Sequence, residues 1–283
     1  MKTRIELSSG STAALDTDPD ERGQRPTVLL VPGYTGSKED FLPLLGPLSA
    51  SGYRAVAIDQ RGQFESSWAR SEDDYRTAAL SSDICELADR LGRRAPLLHL
   101  VGHSWGGLVG RAAVLARADL FDSFTLMSSG PGAIGGERGL VIDVSEPVLI
   151  EHGMAVLWER MVERSQTDPK WIRSTPAARA FLRDRFMAND PAGLRAMGRQ
   201  LRTIDDRTAQ LRDSSLPLLV LHGEDEDAWP PDVQRDMADR LGADLVVIQG
   251  AAHSPAVENP SGTVSALLAF WQRTGRGSGQ RPA

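Results

Sequence analysis

The stretch Gly102-His103-Ser104-Trp105-Gly106 reads G-x-S-x-G and lies between a short apolar run, 97–101, and a segment of helical composition that follows Gly110. A serine on such a strand-to-helix turn has a strained backbone, and its hydroxyl is held clear of the sheet. Gly102 and Gly106 lack a Cβ, which lets the strand and the helix approach closely. Glycine-rich turns of this kind also bind phosphate without covalent chemistry. The rest of the sequence has to decide between these two uses of Ser104.

Composition and charge limit the classes of function. The 283 residues, 41% hydrophobic and 25% charged, fit one large domain or a domain with an insertion. A net charge of −6 argues against nucleic-acid binding, which needs a basic face. No apolar run approaches the roughly 18 residues of a membrane span, no apolar signal segment opens the sequence, and the single Cys85 has no disulfide partner. We expect a cytoplasmic protein with a small-molecule substrate, no nucleic-acid partner and no membrane span. The oligomeric state is left open.

Short apolar runs alternate with helical patterns over most of the chain. The runs are 27–31, 55–58, 97–101, 123–127, 216–221 and 245–248, and the helical patterns include 74–91, 106–118, 231–241 and 261–273. Because such alternation is typical of βαβ units, it predicts an α/β fold with a mostly parallel central sheet and helices on both faces. Residues 3–7 and 12–16 flank a turn and predict an N-terminal antiparallel hairpin.

The alternation stops between residues 131 and 215. Amphipathic patterns at 148–165, 176–187 and 191–208 make this segment helical, and several of them open at proline. The segment interrupts the sheet, so we expect a helical cap at 131–215 inserted into a core made of 1–130 and 216–274. The Gly/Arg/Ser-rich tail 275–283 is expected to be disordered.

A serine hydroxyl needs a base to remove its proton, and His253 is the best candidate among the five histidines. His253 lies in Gln249-Gly250-Ala251-Ala252-His253-Ser254-Pro255, a small-residue loop directly after the last apolar run. Such a loop can present an imidazole at the carboxyl edge of a parallel sheet, where α/β proteins place their sites. Core, structural or surface roles fit the other four better: His99, His103, His152 and His222.

The base in turn needs a carboxylate that fixes its tautomer. The sequence Glu224-Asp225-Glu226-Asp227 follows a predicted strand and precedes Pro230. Four consecutive acids repel one another, so at least one should have a partner. The other interpretation is a solvated acidic loop whose charges favour the N-terminus of the helix at Pro231.

The order of Ser104, an acid near 225–227 and His253 is that of the α/β-hydrolase fold, and the sequence resembles that superfamily over nearly its whole length. Val31-Pro32-Gly33-Tyr34-Thr35-Gly36-Ser37 is similar to its oxyanion loop, with Pro32 in place of the customary histidine. Asp59-Gln60-Arg61-Gly62-Gln63-Phe64-Glu65-Ser66 resembles its D-x-R-G-x-G-x-S loop, with Phe64 in place of a glycine. The acid and histidine segments resemble G-x-x-D-x-x-x-P and G-x-x-H-x-x-x-x-E-x-P.

The resemblance implies an α/β-hydrolase fold and a Ser-His-acid triad. Its acid position falls on Glu226, where aspartate is usual, and Asp227 and Asp225 remain the alternatives. The backbone N–H groups of Tyr34 and Trp105 are then the oxyanion-hole donors, and the side chains of both should line the entrance. Trp158 and Met154 are further candidates for substrate binding, from the apolar residues of the cap.

The implied reaction is cleavage of a carboxylic ester, thioester or lactone through an acyl-enzyme, which needs no metal and no organic cofactor. Serine at position 104 argues against haloalkane dehalogenases and epoxide hydrolases, relatives that use aspartate there. Three alternatives on this fold remain: a cofactor-free haloperoxidase or perhydrolase, a C–C hydrolase or lyase, and a non-catalytic ligand receptor.

Overall fold

The computed structural model describes residues 1–20, 24–93 and 95–274, which form eight strands and eleven α-helices. The strands are β1 Lys2–Leu7, β2 Gly10–Asp16, β3 Thr27–Val31, β4 Arg54–Ile58, β5 Leu98–His103, β6 Ser123–Met127, β7 Leu218–Gly223 and β8 Asp244–Ile248. The helices are α1 Leu42–Ala50, α2 Thr77–Gly92, α3 Trp105–Ala116, α4 Gly136–Ser165, α5 Pro169–Arg173, α6 Pro176–Met187, α7 Pro191–Thr203, α8 Thr208–Arg212, α9 Pro231–Leu241, α10 Pro255–Glu258 and α11 Pro260–Thr274.

All eight strands belong to one sheet in the order β1-β2-β4-β3-β5-β6-β7-β8. The β1–β2 and β2–β4 pairs are antiparallel, and the pairs from β4 to β8 are parallel. The six apolar runs of the sequence form β3 to β8, with boundaries that differ by at most two residues. The predicted α/β fold with a mostly parallel sheet is confirmed.

Helices cover both faces of the sheet. One apolar cluster joins α2, α3 and α9 to the sheet, and a second joins α1 and α11 to the opposite face. The central strands are buried throughout, which explains why β3 is a nearly continuous apolar run and why polar residues such as His99 of β5 and Ser123 of β6 are buried as well. The carboxyl ends of β5, β7 and β8 therefore lie at one edge, where the loops that follow them meet.

Helices α4 to α8 follow β6 and precede β7, so they occupy the segment expected to be an insertion. Three of them, α4, α6 and α7, share a small apolar cluster that includes Leu149, Phe186 and Leu194. The predicted helix at 148–165 begins earlier, at Gly136, and has a non-helical residue, Gly153, at φ 79°. The predicted helix at 191–208 ends earlier, at Thr203, and a separate short helix, α8, begins at Thr208. The division into a core and a cap stays a prediction, and the tail 275–283 lies outside the described residues.

None of the helices among the described residues is long and apolar enough to cross a membrane.

The buried His99 on β5 makes the stability of the fold depend on pH. Its ring is 1% exposed, stacks on Trp271 at 4.8 Å and forms a 2.8 Å hydrogen bond with Ser123 Oγ. Burial lowers the pKa of His99 from 6.5 to about 3. Between these values the unfolded chain binds a proton that the folded chain does not, so acidification favours unfolding.

We therefore expect the free energy of unfolding to fall by about 1.4 kcal/mol per pH unit through His99 as the pH drops below 6.5. The variant His99→Phe keeps the stacking on Trp271 and removes this contribution, so its stability should depend less on pH. Urea unfolding at pH 7, 6 and 5 measures the slope, with His152→Gln on the surface as the control. Equal slopes for wild type and His99→Phe contradict the assignment.

Candidate active site

Ser104 occupies the turn between β5 and α3. Its backbone has φ 53° and ψ −118°, which is strained for a residue with a side chain and costs about 1–3 kcal/mol. Two hydrogen bonds hold the turn: Ser104 N donates to Met127 O at 2.9 Å, and Gly107 N donates to Ser104 O at 2.9 Å. Ser104 is only 7% exposed. The backbone of the turn thus fixes the position from which the hydroxyl projects.

The two glycines of the motif are required by close backbone contacts. A Cβ on Gly102 would lie 2.4 Å from Gly106 O, and a Cβ on Gly106 would lie 2.4 Å from Val31 O. Both distances are far below van der Waals contact, and the obstructing atoms belong to the backbone. A side chain at either position would therefore separate β5, α3 and β3, and with them the turn that carries Ser104.

Ser104, His253 and Glu226 form a continuous chain of hydrogen bonds. His253 Nε2 lies 3.1 Å from Ser104 Oγ, and His253 Nδ1 lies 2.7 Å from Glu226 Oε1. The three side chains come from the loops after β5, β8 and β7, which meet at the carboxyl edge of the sheet. With a proton on Nδ1 donated to Glu226, Nε2 is free to accept the proton of the serine hydroxyl.

Glu226 is the only one of the three candidate acids that reaches His253 with a hydrogen bond among the described residues. Burial would raise the pKa of Glu226, but its hydrogen bonds with His253 and the N–H of Ala228 outweigh that effect and hold the pKa below 4.5. Asp227 is instead 60% exposed and pairs with Arg138 at 2.8 Å, and Asp225 is exposed.

The next residue to Ser104, His103, holds the histidine loop. His103 Nε2 lies 2.7 Å from His253 O and therefore donates to that carbonyl. Burial and the nearby His253 lower the pKa of His103 to about 4, so its ring is neutral near pH 7 and adds no repulsion when His253 becomes charged. Sequence reasoning gave His103 only an unspecified structural role, because the contact joins residues 150 positions apart.

Glu258 at the end of α10 clamps the same loop. Its Oε2 accepts hydrogen bonds from Ala252 N at 2.6 Å and Ser254 N at 3.2 Å, the backbone groups on either side of His253. Lys170 on α5 forms an ion pair with the other oxygen. Glu258 is the glutamate of the G-x-x-H-x-x-x-x-E-x-P pattern, so the sequence pointed to this residue. The pattern does not reveal which groups the glutamate binds.

We expect Glu258→Gln to lower kcat by about tenfold with little change in KM, because a neutral amide holds the two N–H groups less strongly than a carboxylate. Glu224→Gln is a matched control, since Glu224 also accepts a backbone N–H, from Gly250 at 3.1 Å, but further from His253. Steady-state kinetics of hydrolysis separate the two parameters. Equal kcat values for both variants contradict the clamp.

The backbone N–H groups of Tyr34 and Trp105 are available as donors. Within the described parts of the chain, neither N–H donates to a protein acceptor. Trp105 is the first residue of α3, so its N–H belongs to the unsatisfied end of the helix. The loop of Tyr34 is adjacent to the serine, because a Cβ on Gly33 would lie 3.1 Å from Ser104 Cβ.

Two glutamines orient this loop. Gln63 Nε2 donates to Gly33 O at 2.8 Å, and Gln60 Nε2 donates to Pro32 O at 2.8 Å. In a trans peptide the N–H points opposite to the carbonyl. The Gln63 contact therefore fixes the direction of the Tyr34 N–H. The second sequence motif thus supports the first loop, a relationship that its pattern alone does not reveal.

The prediction that the Trp105 side chain lines the entrance is wrong. Trp105 is fully buried in the apolar cluster on the α3 side of the sheet, because the first turn of α3 directs the indole into the core. Tyr34 is half-buried and lines a cavity of about 150 Å³ between α4 and α7. Burial and Glu146 raise the pKa of Tyr34, so its hydroxyl stays protonated.

The two candidates from the segment 131–215, Trp158 and Met154, differ in their surroundings. Trp158 lines a second cavity of about 180 Å³ together with Thr35, the neighbour of Tyr34. Its indole packs on Trp171 at 6.3 Å and on Phe186 at 5.5 Å. Met154 is half-buried and packs against the apolar cluster of the insertion.

One group of side chains at the site has the spacing of metal ligands. Potential ligand atoms of Glu226, Asp227 and His253 lie within 4.8 Å of one another. The hydrogen bond between His253 and Glu226 and the ion pair between Asp227 and Arg138 already engage them. In the described structure these side chains are therefore already engaged by protein partners.

Residues 28–267 match the family model described as the alpha/beta hydrolase family. The chain belongs to this family. Epoxide hydrolase B of Mycobacterium tuberculosis is 38% identical to this chain over 97 residues. These residues cover 34% of the chain and only 26% of the length of that relative. The putative carbamate hydrolase RutD of Pantoea ananatis is 27% identical over 249 residues, 87% of each protein.

Solved structures of alpha/beta hydrolases have the same architecture. The enol-lactonase from Burkholderia xenovorans LB400 superposes with a TM-score of 0.79 over 95% of this chain and 100% of its own, at 22% identity. At that identity the likeness concerns the fold. The predicted α/β-hydrolase fold is confirmed. The names of these similar proteins refer to different bonds: an epoxide, a carbamate and an enol lactone.

Proposed function

We propose that the protein is a serine hydrolase that cleaves a carboxylic ester, thioester or lactone through an acyl-enzyme intermediate. The observation that carries the proposal is the chain of hydrogen bonds from Ser104 Oγ through His253 to Glu226, at 3.1 and 2.7 Å. A serine hydroxyl, a base and a buried acid in this order form the arrangement that activates an oxygen nucleophile.

In the first half of the reaction, Ser104 Oγ attacks the carbonyl carbon while His253 Nε2 takes the hydroxyl proton. The ionised Glu226 stabilises the imidazolium, and the N–H groups of Tyr34 and Trp105 stabilise the negative oxygen. The C–O or C–S bond to the leaving group then breaks, and His253 returns the proton to that group. A water molecule, deprotonated by His253 Nε2, then attacks the carbonyl carbon of the ester on Ser104. The C–O bond to Ser104 Oγ breaks, His253 returns the proton to that oxygen, and the acid is released.

The helices at 131–215 are proposed to form a cap that shapes the substrate site. Three contacts support this role. Phe64, next to the Gln63 anchor, packs edge-on against Phe181 of α6 at 5.8 Å, Arg185 of α6 pairs with Asp40 just beyond the oxyanion loop, and Trp158 shares its cavity with Thr35. Aromatic walls beside the donor loop favour substrates with an apolar acyl or aryl group.

Labelling with a fluorophosphonate tests the proposal. The folded protein should be labelled at Ser104, as mapped by peptide mass spectrometry, and should hydrolyse members of a panel of p-nitrophenyl esters, thioesters and lactones. Heat-unfolded protein is the control, because only the folded chain aligns His253 with Ser104. Folded protein that resists labelling and hydrolyses none of the panel contradicts the proposal and favours a ligand receptor.

A further inference from the structure

A buried guanidinium lies outside the candidate active site, on the same helix that begins beside Ser104. Arg111 is 3% exposed and is the seventh residue of α3. Seven residues of helix separate it from Ser104 by about 10 Å along the axis. No step of the proposed reaction uses it.

Arg111 is held by two backbone carbonyls rather than by an acid. Its Nη1 donates to Pro131 O, and its Nη2 donates to Asp205 O at 3.0 Å. Within the described ranges no carboxylate forms an ion pair with it. A guanidinium has five N–H donors, so three of them are left without a protein acceptor in this part of the chain. The carboxylates of Asp205 and Asp206 act on Arg111 through longer-range electrostatics, which oppose the effect of burial on its pKa. Because in the described part of the chain neither carboxylate bonds directly to the guanidinium, a bound anion at this point is favourable.

The side chain faces a cavity of about 500 Å³ between α2, α3 and the segment 200–207, which we call the Arg111 cavity. This volume lies within the range of small-molecule sites. Leu108, Ala112, Leu115 and Ile204 supply apolar walls. The cavity therefore places one buried positive charge beside an apolar wall, among polar side chains that include Thr77, Ser81, Gln200 and Thr203.

The remaining charges around the cavity leave a positive balance. Arg207 lines it in addition to Arg111, against the single carboxylate of Asp205. The neighbouring Asp206 is engaged by Arg240 at 2.8 Å. The polar groups of α2 and α7 on the wall satisfy each other, since Thr77 Oγ1 donates to Gln200 Oε1 at 2.7 Å.

We propose that the Arg111 cavity is a second binding site, separate from Ser104, for a small molecule with a carboxylate head and an aliphatic body. The carboxylate accepts hydrogen bonds from the free N–H donors of Arg111, and the aliphatic part covers the leucine and alanine side chains of α3. Burial lowers the pKa of Arg111 to about 10, so the guanidinium remains charged at neutral pH.

Isothermal titration calorimetry with octanoate, in a buffer without carboxylates, tests the site. Wild type should bind octanoate, and binding should be at least about tenfold weaker in Arg111→Met, which removes the charge-assisted hydrogen bonds. Ala112→Phe fills the cavity from its half-buried wall and should weaken binding by a similar factor. Octan-1-ol has the same apolar body without the charge and should bind at least about tenfold more weakly than octanoate to wild type.

The two variants keep the proposal testable if one of them is unstable. Arg111→Met leaves the carbonyls of residues 131 and 205 without donors; should circular dichroism show it unfolded, Ala112→Phe decides. Neither substitution touches Ser104, so octanoate bound there would be retained in both. The proposal is overturned by wild type that binds no octanoate, by folded variants that bind it as tightly as wild type, or by octan-1-ol that binds equally well.

Discussion

Replacement of Ser104 by alanine is expected to lower kcat for ester hydrolysis by about 10⁴- to 10⁶-fold and to abolish labelling by a fluorophosphonate. The substitution removes the one atom that forms the acyl bond but leaves His253, Glu226 and the two backbone donors in place. Steady-state kinetics with an activated ester measure the loss. Ser82→Ala is the control, because Ser82 is an exposed serine on α2. This variant should keep full activity and should still be labelled at Ser104.

A second substitution at the same position tests whether the turn is strained for function. Ser104 has φ 53°, a value that glycine adopts without cost. We therefore expect Ser104→Gly to be as inactive as Ser104→Ala. Its free energy of unfolding should be about 1 kcal/mol larger than that of Ser104→Ala, so it should unfold at a higher temperature. Thermal unfolding followed by circular dichroism compares the pair. Retained hydrolysis or labelling in either variant removes Ser104 from the mechanism.

The sheet could be predicted from the sequence because its parallel strands are short, mostly apolar runs separated by helical patterns. Some of the helices could not be predicted from the sequence, because their residues do not follow a helical pattern. Helix α1 contains Pro43, Gly46 and Pro47, which interrupt the pattern expected of a helix. The first part of α4, 136–147, begins at a glycine and ends at Pro147, so the sequence predicted only the later part, 148–165. The break after α7 arises where the side chain of Asp206 accepts the N–H of Thr208 and starts a new helix.

The site could be predicted only to the extent that its residues lie in local motifs. Ser104 and His253 stand in turns whose positions at the ends of β5 and β8 follow from the strand pattern. The resemblance placed the acid at Glu226 and left Asp227 and Asp225 as alternatives, because the choice among them depends on which side chain points inward after β7. The error on Trp105 has the same origin: the sequence places the residue beside the serine, and the packing of α3 decides where the indole goes.

Glu226→Gln is expected to lower kcat by about 10³- to 10⁴-fold, whereas Asp227→Asn and Asp225→Asn should change it by less than about threefold. The glutamine keeps the size of the side chain but removes the negative charge that stabilises the imidazolium. It can also present an N–H to His253 Nδ1, which selects the wrong tautomer. Because Glu226 is buried, its charge acts with little solvent screening, and an exposed neighbour cannot replace it.

The three variants are matched in chemistry, since each converts a carboxylate into its amide within three consecutive residues. They differ in burial and in partner: Glu226 binds His253, whereas Asp227 binds Arg138 at the surface. Measured kcat and KM therefore separate a role in proton transfer from general loop effects. A larger loss in Asp227→Asn than in Glu226→Gln requires the loop after β7 to rearrange during turnover and exchange the acid, so that the hydrogen bond at 2.7 Å belongs to the resting enzyme alone.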